Sequence, residues 1–158
     1  MKHLVLSSIA VAALLLSGCS KKTPEVDSSN NMSDADRLAA LASQIQSEVG
    51  NVYFDFDRFN IRADQQGTIN NNAALFNQAG AEALTVKVEG NCDEWGSDEY
   101  NYALGLKRAT AAKDALVAQG VSEGRISVVS YGESNMVCTE HSKECDAQNR
   151  RDEFKVGF

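Results

Sequence analysis

The chain has 158 residues, a formal net charge of −7 and a pI of about 4.8, and 43% of its residues are hydrophobic. This length and apolar fraction allow one globular domain with additional segments. The acidic balance argues against nucleic acid or an anionic lipid surface as the partner, because both are bound through basic patches.

The first 18 residues have the pattern of a cleaved export signal. Lys2 precedes a stretch from 4 to 16 that is rich in Leu, Val and Ala, and small residues follow it, as in a secretory signal peptide. The stretch is too short to span a membrane with flanks of its own. The sequence LSGC at 16–19 resembles the lipobox of bacterial lipoproteins, in which the signal is cut before the cysteine and the cysteine carries acyl chains. An ordinary signal peptide that contains a cysteine by chance is the alternative.

Lipid attachment at Cys19 would hold the chain permanently on a membrane. The resemblance implies three acyl chains, and two membrane signals already give stable anchoring. Residues 19–33 are polar and carry no hydrophobic pattern, so we expect a lipidated flexible tether. Fully extended, it would reach roughly 45–50 Å.

Residues 34–50 predict a short amphipathic helix. Ser33 stands at the N-cap position before Asp34 and Asp36, whose negative charges favour a helix N-terminus. Apolar residues follow at helical spacing up to Ile45.

Strand and helix patterns alternate through residues 51–158, which we interpret as one domain. Period-two alternation predicts strands that begin near Val52, Leu84, Ile126 and Glu153, and helical periodicity covers 63–79 and 97–119. Val52, Phe54 and Phe56 are expected on one face of the first strand, and residues 132–149 are expected to form a loop. Each strand has one apolar and one polar face, which predicts an α/β (α+β) fold, a two-layer sandwich with helices on one face of the sheet.

The chain contains four cysteines, of which Cys19 is assigned to lipid. An exported protein meets oxidising conditions, which favours a disulfide between Cys138 and Cys145. A zinc site built from the three remaining cysteines and His141 is the alternative, although the close pair lacks the spacing of a zinc finger or knuckle. We therefore expect no metal, and Cys92 remains without a partner.

An arginine lies on the apolar face of the helix predicted at 97–119. On a helical wheel Arg108 falls among alanines and leucines, and Asn101 shares that face. An arginine keeps its charge, so at such a position it either snorkels, pairs with an internal carboxylate, or belongs to a binding site. The preceding loop carries Asp93 beyond the end of a strand, where ligands often bind. Asp93 could also be stabilised by the helix N-terminus or pair directly with Arg108.

Six segments resemble the OmpA-like peptidoglycan-binding domain family, in the family order and with family-like spacing. They are YFDFD (53–57), EGNCDEWG (89–96), EYNYALG (99–105), KRA (107–109), VSYGE (129–133) and NRR (149–151). The resemblance runs from about Val52 to Phe158. It implies the element order β-α-β-α-β-β with a mixed four-stranded sheet.

The resemblance also implies a ligand and the residues that bind it. In this family an aspartate and an arginine bind the amino and carboxylate groups of diaminopimelate in the wall peptide, and these residues fall on Asp93 and Arg108. The further residues that the resemblance places near the site are Phe56, Asp57, Phe59, Asn101, Arg150 and Arg151. The family usually has Gly-His-Thr-Asp where this chain has GNCD at 90–93, so the hydrogen bonds around Asp93 are expected to differ. No cofactor is implied.

The lipobox and the family resemblance together imply a structural tether. Such a lipoprotein is anchored in the outer membrane, faces the periplasm and binds peptidoglycan, with avidity over many wall sites. The resemblance also implies TolB and possible further Tol proteins as partners, and a role in envelope integrity and cell division. Ser20, after the lipid cysteine, is not the aspartate that typically retains lipoproteins at the inner membrane.

Two alternatives remain. One is a wall-binding lipoprotein of this family without Tol partners. The other is a cell-wall hydrolase that uses acids among Asp93, Glu94, Asp98 and Glu99 as an acid/base pair. Because His141 is the only histidine after the signal and no Ser-His or Cys-His arrangement is evident, we expect a protein that is not an enzyme.

Overall fold

The computed structural model of the chain describes residues 32–158. The expected export signal, the lipidation site Cys19 and most of the expected tether lie outside these residues. Within the described range, every helix is too short or too polar to cross a membrane.

Four strands and four α-helices make up the described part of the chain. In chain order they are α1 (Asp34–Glu48), β1 (Val52–Tyr53), α2 (Gln66–Phe76), β2 (Thr85–Asn91), α3 (Asp98–Ala118), β3 (Ile126–Gly132), α4 (Lys143–Asn149) and β4 (Arg151–Gly157), with 3₁₀ turns at Ala63–Gln65 and Glu123–Arg125. The sheet order is β1-β4-β2-β3. β2 and β3 are parallel, and β4 is antiparallel to both β2 and β1. The structure confirms the expected α/β sandwich with a mixed four-stranded sheet.

Helix α1 begins at the expected cap and packs against β4. The Ser33 hydroxyl accepts a hydrogen bond from the Asp36 amide at 3.1 Å, and the Asp36 carboxylate accepts one from the Ser33 amide at 3.2 Å, which completes a capping box. The Gln46 side chain donates to the Phe154 carbonyl at 3.0 Å and accepts from the Val156 amide at 2.9 Å. These bonds satisfy backbone groups of β4 beyond the end of the short strand β1, so α1 is built into the domain.

The first strand is shorter than its alternating sequence predicts. β1 ends at Tyr53, and Phe54 remains buried, with its amide donating to the Arg150 carbonyl at 3.0 Å. Phe56 is 60% exposed, so the prediction that it shares the core face of Val52 and Phe54 is wrong. The chain leaves the sheet after Phe54 and turns through Asp57, whose φ of 55° lies in the left-handed region.

The segment 132–149, expected to be a loop, contains helix α4. The Ser142 hydroxyl caps it by accepting from the Cys145 amide at 3.2 Å, and Glu144 and Asp146 lie in its first turn. Its seven residues are too few to show a helical period in the sequence. The other differences are at the ends of elements, since α2 stops at Phe76 and β2 starts one residue after Leu84.

Helix α3 lies in direct contact with the backbone of the sheet. A Cβ atom at Gly90 of β2 would stand 1.9 Å from the Gly105 carbonyl oxygen, and one at Gly105 would stand 2.3 Å from the Ser130 hydroxyl of β3. Only glycine fits at either position. This close approach fixes the first half of α3 over the end of β2.

We predict that Gly90→Ala lowers the free energy of unfolding by about 3 kcal/mol, because the added methyl group forces α3 away from the sheet. Gly67→Ala is the matched control. Nothing lies within 4 Å of a Cβ at Gly67 in α2, so the same change there should leave stability unchanged or raise it by up to about 1 kcal/mol. Urea unfolding followed by circular dichroism measures both, and equal effects of the two substitutions would contradict the close contact.

Candidate functional site

A cleft of about 250 Å³ opens beside the N-terminal half of α3. Its lining residues come from the loop after β1, the loop between β2 and α3, and α3 itself, and they are Phe56, Asp57, Asp93, Trp95, Gly96, Tyr100 and Leu104. The aromatic side chains of Phe56, Trp95 and Tyr100 are half or more exposed and form the rim. The structure therefore places three of the predicted site residues, Phe56, Asp57 and Asp93, in one cleft.

Asp93 is a buried carboxylate at the inner end of this cleft, with 3% of its surface exposed. Its Oδ2 accepts a hydrogen bond from the Arg150 guanidinium at 2.9 Å, and Arg150 also donates to the Phe54 carbonyl at 3.1 Å. The ion-pair partner of Asp93 is therefore Arg150, which lies just before β4. Within residues 32–158, no side chain donates to the other carboxylate oxygen, Oδ1.

Arg108 is fully buried behind the lining of the cleft. Its guanidinium donates to the main-chain carbonyls of Arg58 at 2.8 Å, Asn91 at 2.9 Å and Asp55 at 3.2 Å, and lies 5.2 Å from the centre of the Phe54 ring. Burial lowers the pKa of Arg108, but an arginine stays protonated in proteins. No carboxylate among the described residues forms an ion pair with it. Arg108 is thus a buried cation whose oxygen partners are neutral carbonyls.

Asn101 and Tyr100 join neighbouring segments to the start of α3. The Asn101 amide donates to the Asp93 carbonyl at 3.3 Å and to the carboxylate of Glu133, a residue for which the sequence predicts no role in the site. The Tyr100 hydroxyl donates to the Asp57 carboxylate. These contacts hold the two loops of the cleft against one helix.

Two residues that the resemblance placed near the site lie away from the cleft. Arg151 lies on the face of β4 opposite to Asp152, where it pairs with Glu153 and donates to the Asn135 carbonyl at 3.1 Å. Phe59 is exposed beside Lys107, whose ammonium lies 5.5 Å from the ring centre. Of the two adjacent arginines, only Arg150 contacts Asp93.

Cys92 stands where the family resemblance would place a threonine. Its thiol donates to the Asn101 carbonyl at 3.3 Å and accepts from Arg108 at 3.4 Å. Burial raises the pKa of the Cys92 thiol to about 11, so the group is neutral at ordinary pH and acts as a weak hydrogen-bond donor. The buried thiol therefore links the segment after β2 to two residues of α3.

Helix α4 supports the rim of the cleft. The Trp95 indole donates to the Asp146 carboxylate at 2.9 Å, and a disulfide joins Cys138 to Cys145. His141 lies 2.7 Å from the Glu94 carboxylate, which raises the pKa of the imidazole. The part of the chain that the structure describes contains no group of His, Cys, Asp and Glu arranged to hold a metal ion. In the sequence, Ser142 at an N-cap position and the acidic residues after it are the signals that could have predicted helix α4.

Comparisons with known proteins match the region that contains the cleft. Residues 53–151 match the OmpA family. The peptidoglycan-associated lipoprotein of Mesorhizobium japonicum is 40% identical over 149 residues, which cover 89% of this chain and 84% of that protein. The peptidoglycan-associated lipoprotein of Haemophilus influenzae is 35% identical over 146 residues, which cover 89% of this chain and 94% of that protein.

Solved structures show the same fold. The crystal structure of the peptidoglycan-associated lipoprotein from Burkholderia pseudomallei superposes with a TM-score of 0.64 at 34% identity, over 68% of this chain and 89% of that one. The C-terminal domain of Helicobacter pylori MotB superposes with a TM-score of 0.63 over 70% of this chain and 85% of that one. Its identity is 22%, so this second likeness concerns the fold alone.

We predict that Arg150→Gln lowers the free energy of unfolding by about 3 kcal/mol, because it leaves the buried Asp93 carboxylate without a cation. Arg37→Gln is the matched control, since Arg37 pairs with Asp34 on the exposed face of α1 and should contribute less than about 0.5 kcal/mol. Denaturant unfolding measures both. A loss at Arg150 no larger than that at Arg37 would show that Asp93 does not depend on this pair.

Proposed function

Because the chain belongs to the OmpA family and, within it, to the peptidoglycan-associated lipoproteins, we propose that it is an outer-membrane lipoprotein that binds peptidoglycan non-covalently. Cys19 would carry the lipid, residues 19–33 would form the tether, and the domain that contains the cleft would hold the wall. The outer membrane and the cell wall would then be joined through the periplasm by one chain.

The proposed ligand is inferred mainly from the environment of Asp93. Its carboxylate lies in a cleft with an aromatic rim, and one of its oxygens has no donor among the described residues. An ammonium group is the partner that suits this oxygen, and exposed aromatic rings favour both a cation and an alkyl chain. The free end of diaminopimelate in the stem peptide carries an ammonium group and a carboxylate on one carbon, and a methylene chain joins that carbon to the peptide.

Arg108 is the proposed partner of the ligand carboxylate. It now donates to the carbonyls of Asp55 and Arg58, which belong to an exposed loop at the edge of the cleft. A carboxylate accepts stronger hydrogen bonds from a guanidinium than a neutral carbonyl does, and its planar geometry fits the fork of donors. A shift of this loop would therefore exchange two neutral acceptors for one charged acceptor.

The four acids that a hydrolase could have used as an acid/base pair support binding over hydrolysis. Asp93 is paired with Arg150, and Glu94 is paired with His141. Asp98 and Glu99 lie in the first turn of α3, where negative charge stabilises a helix N-terminus. These four acids therefore have structural partners, and we propose a structural role without catalysis.

A sedimentation assay with purified sacculi tests the proposal. The full chain in detergent should sediment with sacculi, and free diaminopimelate should release it. We predict that Asp93→Asn weakens retention at least tenfold, because it removes the charge that binds the ammonium group. Asp114→Asn, on an exposed turn of α3 away from the cleft, should bind as wild type does.

Retention of Asp93→Asn equal to that of Asp114→Asn would overturn the proposed site. Arg108→Lys should also weaken retention, and circular dichroism would show whether each variant is folded. The same assay separates a hydrolase from a tether, since an enzyme would release soluble wall fragments.

We further propose that the protein acts with TolB, and with other Tol proteins, in envelope integrity and cell division. Membership in the peptidoglycan-associated lipoproteins supports this proposal. Purified TolB should bind the full chain, and a wall-binding lipoprotein without Tol partners would show no complex with TolB. Since Asp93→Asn removes only a buried charge, we expect that variant to keep its complex with TolB in size-exclusion chromatography.

A further inference from the structure

A second buried carboxyl group lies under the site and has no role in the proposed function. Asp152 on β4 stands opposite Val52 of β1 and Gly90 of β2, and none of its surface is exposed. Neither carboxyl oxygen has a hydrogen-bond partner among residues 32–158. A buried acid without a partner is costly, so this group requires an explanation.

The fold places Asp152 on the side of the sheet that Arg108 faces. Its register neighbour Gly90 lies against Gly105 of α3, and Arg108 follows Gly105 by three residues on the same buried face of the helix. The positive charge of Arg108 acts on the Asp152 carboxyl and opposes the effect of burial. The site therefore contains a buried cation without a carboxylate partner and a buried acid without any partner.

We propose that Asp152 is the internal counter-charge of Arg108, and that its protonation state sets the affinity of the cleft for a ligand carboxylate. The inference rests on the proposed function, in which Arg108 binds that carboxylate. When Asp152 is protonated, the charge of Arg108 is uncompensated and attracts the ligand. When Asp152 has released its proton to solvent, its negative charge neutralises Arg108 and repels the ligand.

The binding equilibrium is therefore linked to one proton. A ligand carboxylate that reaches Arg108 favours the neutral form of Asp152, so ionised Asp152 takes up one proton from solvent as the ligand binds. Burial raises the pKa of Asp152 well above its usual range. Affinity should fall as pH rises through this raised pKa, by at most tenfold per pH unit for a single linked proton.

Other charged groups near Asp152 do not produce the same dependence. Cys92 is neutral because burial raises its pKa to about 11, and Asp93 forms an ion pair with Arg150. His141 is exposed and does not line the cleft, but Glu94 raises its pKa, so the experiment uses a His141→Gln background to remove this second titrating group. The exposed position of His141 makes this background change harmless to the core.

Calorimetric titration with free diaminopimelate tests the inference, using the full chain in detergent between about pH 5 and 8. In the background protein, which keeps Asp152, the affinity for diaminopimelate should fall as pH rises, and titrations in buffers of different ionisation enthalpy should reveal proton uptake on binding. Asp152→Asn imitates the protonated carboxyl group. This variant should therefore bind at every pH with the affinity that the background protein has at low pH, and without proton uptake. Equal pH slopes for the two proteins would overturn the inference and leave the proposed function standing.

Unfolding experiments without ligand give an independent readout. Because the pKa of Asp152 is higher in the folded than in the unfolded chain, the folded state holds a proton that the unfolded state releases above about pH 4. The free energy of unfolding of the parent protein, which is the His141→Gln background with Asp152 intact, should therefore decrease relative to that of Asp152→Asn as pH rises from about 4 toward the raised pKa. A stability difference that does not change with pH would overturn the inference. Failure of the parent protein to bind diaminopimelate at any pH would overturn the proposed function together with it.

Discussion

The buried guanidinium of Arg108 connects the parts of the molecule that form the cleft. It joins α3 to the carbonyls of Asp55 and Arg58 in the loop after β1 and to the carbonyl of Asn91 at the end of β2. It can do so because α3 lies directly on the sheet at Gly90, and the close approach brings the helix within reach of both segments. The shape of the cleft therefore depends on hydrogen bonds from one charged group to neutral acceptors.

Four ionisable groups lie beneath the cleft, and only two of them pair directly. Asp93 and Arg150 form an ion pair, whereas no hydrogen bond joins Arg108 to Asp152, a carboxyl group whose pKa is raised by burial. A direct ion pair compensates both of its charges, but a cation beside a protonated carboxyl group keeps its charge available for another anion. This inequality explains why the site, as proposed, keeps Asp93 in a fixed position and yet retains a positive charge for the ligand carboxylate.

The sequence predicted the features that depend on regular periodicity, since the alternation around Val86 and the helical period around Arg108 hold over whole elements. It misled at Phe56, where the alternation continues after the backbone has left the sheet at a left-handed Asp57. The pairing of Asp93 with Arg150 joins segments 57 residues apart, so no local pattern predicts it. Asp152 shares a strand face with Phe154 in the structure, but it precedes the predicted start of the last strand near Glu153, so the alternation did not mark it as an acid facing the core.

Binding of free diaminopimelate, followed by the fluorescence of Trp95, is the sharpest test of the proposed site, because Trp95 is the only tryptophan of the chain and lies on the rim of the cleft. The proposed site predicts a saturable change in emission that Asp93→Asn abolishes. It also predicts much weaker binding of Nα-acetyl-lysine amide, whose free end has an ammonium group but no carboxylate for Arg108 to bind. A saturable signal that is the same for Asp93→Asn, or equal affinities for diaminopimelate and Nα-acetyl-lysine amide, would contradict the proposed site.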